Sequence, residues 1–116
     1  MTIQRFGTTS RWSDAVICNG SLYTVEVANT LSADIATQSQ EVLANLQTTL
    51  EKHLSDKSRL LMCTIYLDDI RDIDAFNAVW DVWVPAGTAP VRACVQARLA
   101  KSAYRVEVQA IAAVNA

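Results

Sequence analysis

The sequence predicts an α+β fold: a mixed sheet of order β-β-α-β-α-β-β with both helices on one face. Three observations lead there. The pair Asn19-Gly20 separates two short apolar segments. Two longer segments carry apolar stripes at three- and four-residue steps, and the last two segments alternate with period two. Strand segments with two similarly striped helices between them suit one sheet layer packed on one helix layer.

Residues 14–18 and 22–27 read as two strands of an opening hairpin, because Asn-Gly supplies the positive φ angles of a type I′ turn. From Asp34 the period changes. Ile35, Ser39, Val42, Leu43, Leu46, Leu50 and Leu54 fall on one helical stripe, and Ser32 or Asp34 is placed to cap it. His53 and Lys52 sit in its last turn, where a cation meets the negative end of the helix dipole, so a surface role for His53 is expected.

The near-continuous apolar run Leu60–Leu67 is expected to be the central strand, covered on both faces. Asp72 can cap a second helix with Ile73, Phe76, Val79, Trp80 and Trp83 on one stripe, ended by Pro85 and Gly87. Trp80 and Trp83 read as packing residues. Residues 91–98 and 104–113 alternate with period two and complete the sheet.

With 116 residues, 51% of them hydrophobic, and only 3 Gly and 2 Pro, one domain over residues 1–116 is expected to build a real core and to hide further apolar surface in an oligomer. The net charge of −2 gives no basic stripe for RNA or DNA, so no nucleic-acid partner is expected. Residues 1–13 lack an apolar signal core, and no apolar run approaches bilayer length, so a cytoplasmic, soluble protein without a membrane partner is expected. Three widely spaced Cys suggest neither a disulfide framework nor a zinc site, and the single His excludes a His-rich metal centre; no metal and no cofactor is expected.

One constellation stands out. In residues 91–98 the even positions are Arg92, Cys94, Gln96 and Arg98, while in residues 105–109 the polar positions are Arg105, Glu107 and Gln109. Paired as a hairpin in either of two registers, these strands would place Arg92 and Glu107 on one face, opposite or diagonal. A solvated ion pair is one reading, worth little energetically. The other is a site in which Arg92 grips a substrate carboxylate and Glu107 orients or deprotonates a water.

Residues 89–95 followed by 105–112 resemble the closing signature of the Rid family, the reactive intermediate deaminases or YjgF-like proteins. The match spans nearly the whole chain, including Leu22-Tyr23 and the segment from Phe76-Asn77 to Trp83, and is closest to the YoaB-like members. The resemblance implies a chorismate-mutase-like fold and a homotrimer with clefts between subunits. It also implies hydrolysis of 2-imino acids and their enamine tautomers to 2-keto acids and ammonia, as in 2-iminobutanoate/2-iminopropanoate deaminases, without metal or organic cofactor.

By position, Arg92 matches the carboxylate-binding arginine, Glu107 the glutamate linked to the attacking water, and Cys94 the cysteine beside them. Trp12 falls where many members have Tyr, an aromatic lid expected from the adjacent subunit. Cys94 has no His near it in sequence and reads as a cleft-lining or packed residue.

The sequence departs from the family at Val25-Glu26, where most members carry a small pair ending in Gly beside the substrate. Glu26 has four readings: it repels an anionic imino acid, pairs with Arg92, recognises an amine-bearing substrate, or points into solvent. The alternative to a deaminase is a non-catalytic trimer that binds small carboxylate metabolites. A ribonuclease is disfavoured by the acidic balance, and chorismate mutase rests on architecture alone.

Overall fold

A computed structural model describes residues 2–115; Met1, the first residue of the polar opening segment, lies outside the described residues. Strand β2 (Ala15–Cys18) turns into β3 (Ser21–Val27) through Asn19 and Gly20, whose φ angles are 56° and 81°, the double positive geometry that selects Asn-Gly. The polar start of the chain adds a strand that period-two alternation does not reveal: β1 (Ile3–Phe6) pairs antiparallel with β2, Phe6 opposite Ala15.

Helix α1 (Ile35–Lys52) starts at Asp34, whose carboxylate accepts the backbone N–H of Thr37 at 2.9 Å; Asp34, not Ser32, is the cap. The helix stops one residue before His53. The carbonyl of Leu50 accepts N–H groups from both His53 (3.1 Å) and Ser55 (2.9 Å), which requires Leu54 to take φ 62°. Leu54 therefore leaves the stripe and is two-thirds exposed, in a left-handed position that usually falls to glycine.

Strands β4 (Leu60–Leu67), β5 (Val91–Gln96) and β6 (Val106–Ala113) and helix α2 (Ile73–Trp83) complete the fold. The sheet order is β1-β2-β3-β6-β4-β5, with β4 and β5 parallel and all other pairs antiparallel. One face buries Leu22, Cys63, Ile65, Val106 and Val108 against Val42, Leu43, Leu46 and Leu50 of α1 and Phe76 and Trp80 of α2. Both helices thus cover that face. Leu46 is fully buried there, and Leu46→Ala would cost about 2–5 kcal/mol in lost transfer energy and cavity formation.

Buried Gln38 ties α1 to the loop that enters β6. Its Nε2 donates to the carbonyls of Ala33 and Ala103, at 3.2 and 3.0 Å, and its Oε1 accepts the N–H of Arg105 at 3.0 Å. An amide buried in this way costs nothing only because both its ends are satisfied.

Two expectations change. β4 is flanked on both sides but is not central, since β3 and β6 hold the middle of the sheet, and it is covered on one face only. A register irregularity between Leu60 and Met62 leaves Leu61 and Met62 both exposed. β5 and β6 do not form a hairpin, because β4 lies between them. The loop after β5 crosses the end of β4: Ala97 donates its N–H to the Leu67 carbonyl and Asp68 donates to that of Arg105.

Candidate active site

The inserted strand separates the two residues expected to face each other. Arg92 pairs with Cys63, whose side chain lies in the core, so Arg92 faces the helices. Glu107 alternates with buried Val106 and Val108 and pairs with Val27 and Tyr66, on the sheet's other, uncovered face. Within one chain Arg92 and Glu107 therefore share no face.

Arg92 is held by aromatic rings. Its guanidinium carbon lies 5.3 Å from the centroid of Trp80 and 6.0 Å from that of Phe76, and no ion pair or hydrogen bond engages its fork among the described residues. A planar cation stacked on indole and phenyl keeps its donors pointing along its edge, free for an acceptor. Cys94, two residues on, lies on the same side and packs against the core. Burial pushes the Cys94 thiol up and the Cys63 thiol up to about 12, with the Arg92 charge opposing in both cases. Neither is an activated nucleophile.

On the uncovered face the Tyr66 hydroxyl donates to Gln109 Oε1 at 3.0 Å, two residues along β6 from Glu107. Val25, 55% exposed, and Tyr23 lie on this face too, with Val91 and Val95 at its β5 edge. Trp12, 60% exposed, sits on a turn closed by the N–H of Thr9 donating to the Trp12 carbonyl at 2.7 Å and by Thr9 Oγ1 accepting the Trp12 N–H at 3.1 Å. The turn presents the indole away from the core.

Glu26 points neither into solvent nor at Arg92 of the same chain. It faces α1, three strand steps or roughly 14 Å from β5. It lines a cavity of about 320 Å³ shared with Asp14, Thr49, Lys52, His53 and Phe6. Burial raises its carboxyl above the ordinary range, the Asp14 charge adds to this, and hydrogen bonds from Thr24 and Thr49 oppose it. His53 caps the end of α1 as the sequence suggests, but its ring packs 4.4 Å from that of Phe6, tilted by 45°, and burial with the nearby Lys52 charge lowers its pKa. The neutral ring is favoured over the expected cation. Among the described residues no group of three or more His, Cys, Asp or Glu is arranged to hold a metal ion.

The family model described as Endoribonuclease L-PSP matches residues 2–114. The chain belongs to the Endoribonuclease L-PSP family. Among relatives of this L-PSP chain, the RutC family protein YoaB of Escherichia coli K12 is 47% identical over 114 residues, covering 98% of this chain and 100% of its own. A RutC family protein of Haemophilus influenzae is 37% identical, with 97% and 98% covered. A crystal structure of a YjgF-family member from Neisseria meningitidis superposes with a TM-score of 0.95 at 42% identity, covering 100% of this chain and 98% of that one.

The resemblance to YoaB-like, YjgF-family proteins therefore holds along the chain, and the L-PSP fold is the chorismate-mutase-like α+β arrangement. The cavity around Glu26 escaped sequence reading. Asp14, Glu26 and Lys52 come from the start of β2, from β3 and from the end of α1, and only tertiary packing joins them.

Proposed function

We propose that this L-PSP chain is one cytoplasmic domain that assembles as a homotrimer and hydrolyses reactive 2-imino and enamine acids to 2-keto acids and ammonia, in clefts between subunits. The observation that carries this reading is Arg92: a guanidinium clamped against Trp80 and Phe76 with an unengaged fork, on an edge strand where a second copy can approach. Such a fork fits the two oxygens of a carboxylate. Arg92 and Glu107 face opposite ways in one chain, so a site using both needs a second copy. The uncovered apolar face supplies the surface for that association.

In this site Arg92 fixes the imino acid by its carboxylate, with Cys94 lining the cleft and Trp12 of a neighbouring copy closing it. Glu107 orients a water and takes up its proton as the oxygen attacks the imine carbon. The C=N bond becomes a C–N single bond, the nitrogen is protonated, and ammonia leaves as the carbonyl forms. The imine is already electrophilic, so positioning and one proton relay suffice.

The test is release of 2-keto acid from 2-iminobutanoate or 2-aminoacrylate generated by a dehydratase. Acceleration over the uncatalysed rate is expected, and its absence rejects the activity. A second reading, a non-catalytic trimer that binds small carboxylate metabolites, is favoured by the acid at Glu26. It predicts melting shifts with 2-keto acids that vanish in Arg92→Ala, without turnover. The ribonuclease activity in the family's description finds no support in a net charge of −2.

A further inference from the structure

The cavity between α1 and the β1–β3 edge has an unbalanced charge. Two carboxylates, Asp14 and Glu26, line it, and it opens beside the C-terminal end of α1, where the helix dipole adds partial negative charge. His53 favours its neutral form. Lys52 lines the rim but is exposed, and among the described residues the ion pair formed is Arg71–Asp69, elsewhere on the surface. Among the described residues no ion pair engages Glu26.

The carboxylate's donors are two neutral hydroxyls, those of Thr24 and Thr49. The Thr24 hydroxyl lies 2.5 Å from Glu26 Oε2 and 3.1 Å from the Asp14 carbonyl, and its single proton serves one of them at a time. The carboxylate of Asp14 packs over the α-carbon of Gly7, where a side chain would have to overlap it. The volume, about 320 Å³, lies at the small end of the range for ligand sites. Phe6 supplies apolar wall.

We propose that this cavity binds a cationic nitrogen, an ammonium or guanidinium group, with Glu26 as its counter-ion, and that the preferred substrates are imino acids whose side chains end in such a group. The second half rests on the deaminase reading; the cation site itself does not. Of the four readings of Glu26, recognition of an amine is the one that gives a counter-ion to a half-buried carboxylate held only by hydroxyls. An anionic group in the same space would meet two carboxylates and a helix C-terminus.

The test uses the full-length protein and two arms. In the first, calorimetry measures binding of agmatine, which carries both an ammonium and a guanidinium and no carboxylate. Binding that weakens roughly tenfold to a hundredfold in Glu26→Gln supports the site; no heat at millimolar agmatine, or equal binding to the variant, overturns it. Asp14→Asn is the companion variant should Glu26→Gln fail to fold, with the same two outcomes.

In the second arm an L-amino-acid oxidase generates imino acids from arginine and from leucine. A kcat/KM ratio that favours the arginine product and collapses in Glu26→Gln supports the substrate class. Equal turnover of both, with no agmatine binding, sinks the inference and leaves the deaminase standing. Agmatine binding with no turnover of either imino acid sinks the deaminase, and with it the substrate class, and leaves the cation site standing.

Discussion

Arg92→Met separates the two things Arg92 does. The guanidinium sits 5.3 and 6.0 Å above two ring centroids. Cation–π contacts of this kind are worth about 0.5–1 kcal/mol each at partly exposed sites, so removing the charge forfeits about 1–2 kcal/mol. Methionine keeps an unbranched stem over the same rings, and its thioether returns about 0.3–1.5 kcal/mol of sulfur–aromatic contact. The net loss of stability should stay within about 1 kcal/mol, read as the shift in a urea unfolding midpoint at constant m-value.

Carboxylate recognition has no such replacement. A charge-assisted hydrogen-bond pair contributes about 1.5–3 kcal/mol, so KM for an imino acid should rise roughly ten- to a hundredfold, followed by competition between hydrolysis and semicarbazide trapping. Arg92→Lys should recover charge but not the planar fork, and should fall between the two. Unchanged kcat/KM in Arg92→Met would refute the carboxylate role. A stability loss of about 3 kcal/mol or more would refute the view that the rings hold a replaceable stem.

Four further outcomes follow from the geometry. Glu26 has its folded pKa raised above 4.5, so its contribution is full below 4.5 and is lost as pH rises through the folded value; Glu26→Gln should raise Tm at neutral pH and not at pH 4. With the Cys63 thiol at about 12 instead of 9.0, its thiolate fraction at pH 8 falls roughly a thousandfold, so iodoacetamide followed by peptide mapping should label Cys94 well before Cys63, and equal labelling would contradict the burial argument. Leu54→Gly should stabilise by about 1 kcal/mol in urea unfolding, because the exposed leucine occupies φ 62°. Gly7→Ala should cost more than about 1 kcal/mol, since φ is 61° and the new Cβ would lie 2.0 Å from Asp14 Oδ2; a neutral result would mean that Asp14 is free to move.

The sequence showed most of the fold because its signals are local. The Asn19-Gly20 turn, the stripe from Ile35 to Leu50 and the stripe from Ile73 to Trp83 each declare an element within a few residues. Strand β1 lacked such a signal, since Ile3, Gln4 and Arg5 are all exposed and show no alternation. The hairpin expected from β5 and β6 followed from neighbouring strands in sequence usually being neighbours in space. Here the crossing loop, anchored through Arg105 to Gln38, overrides that tendency and lets β4 pair with both.

The site was legible residue by residue and illegible as an arrangement. Arg92, Cys94 and Glu107 can be named from their patterns, but which way each faces depends on β4 intervening. Glu26 stood out only against the family resemblance, at a position where most members carry a small pair ending in Gly. That it shares a cavity with Asp14 and the end of α1 is a product of packing alone.

The strand order also has a consequence for synthesis. β6 fills the gap between β3 and β4, and its pairing of Ala113 with Ser21 joins segments far apart in the sequence. While the polypeptide emerges from the ribosome, the β1–β3 meander and the β4–β5 pair each keep an unpaired strand edge and can meet only through the helices. Closure waits for residues 106–113 to clear the exit tunnel, so the sheet is completed only after its other five strands have been made, at a rate set by long-range loop closure. Until then both open edges are exposed to aggregation, and a stop codon ahead of residue 106 would leave them so permanently.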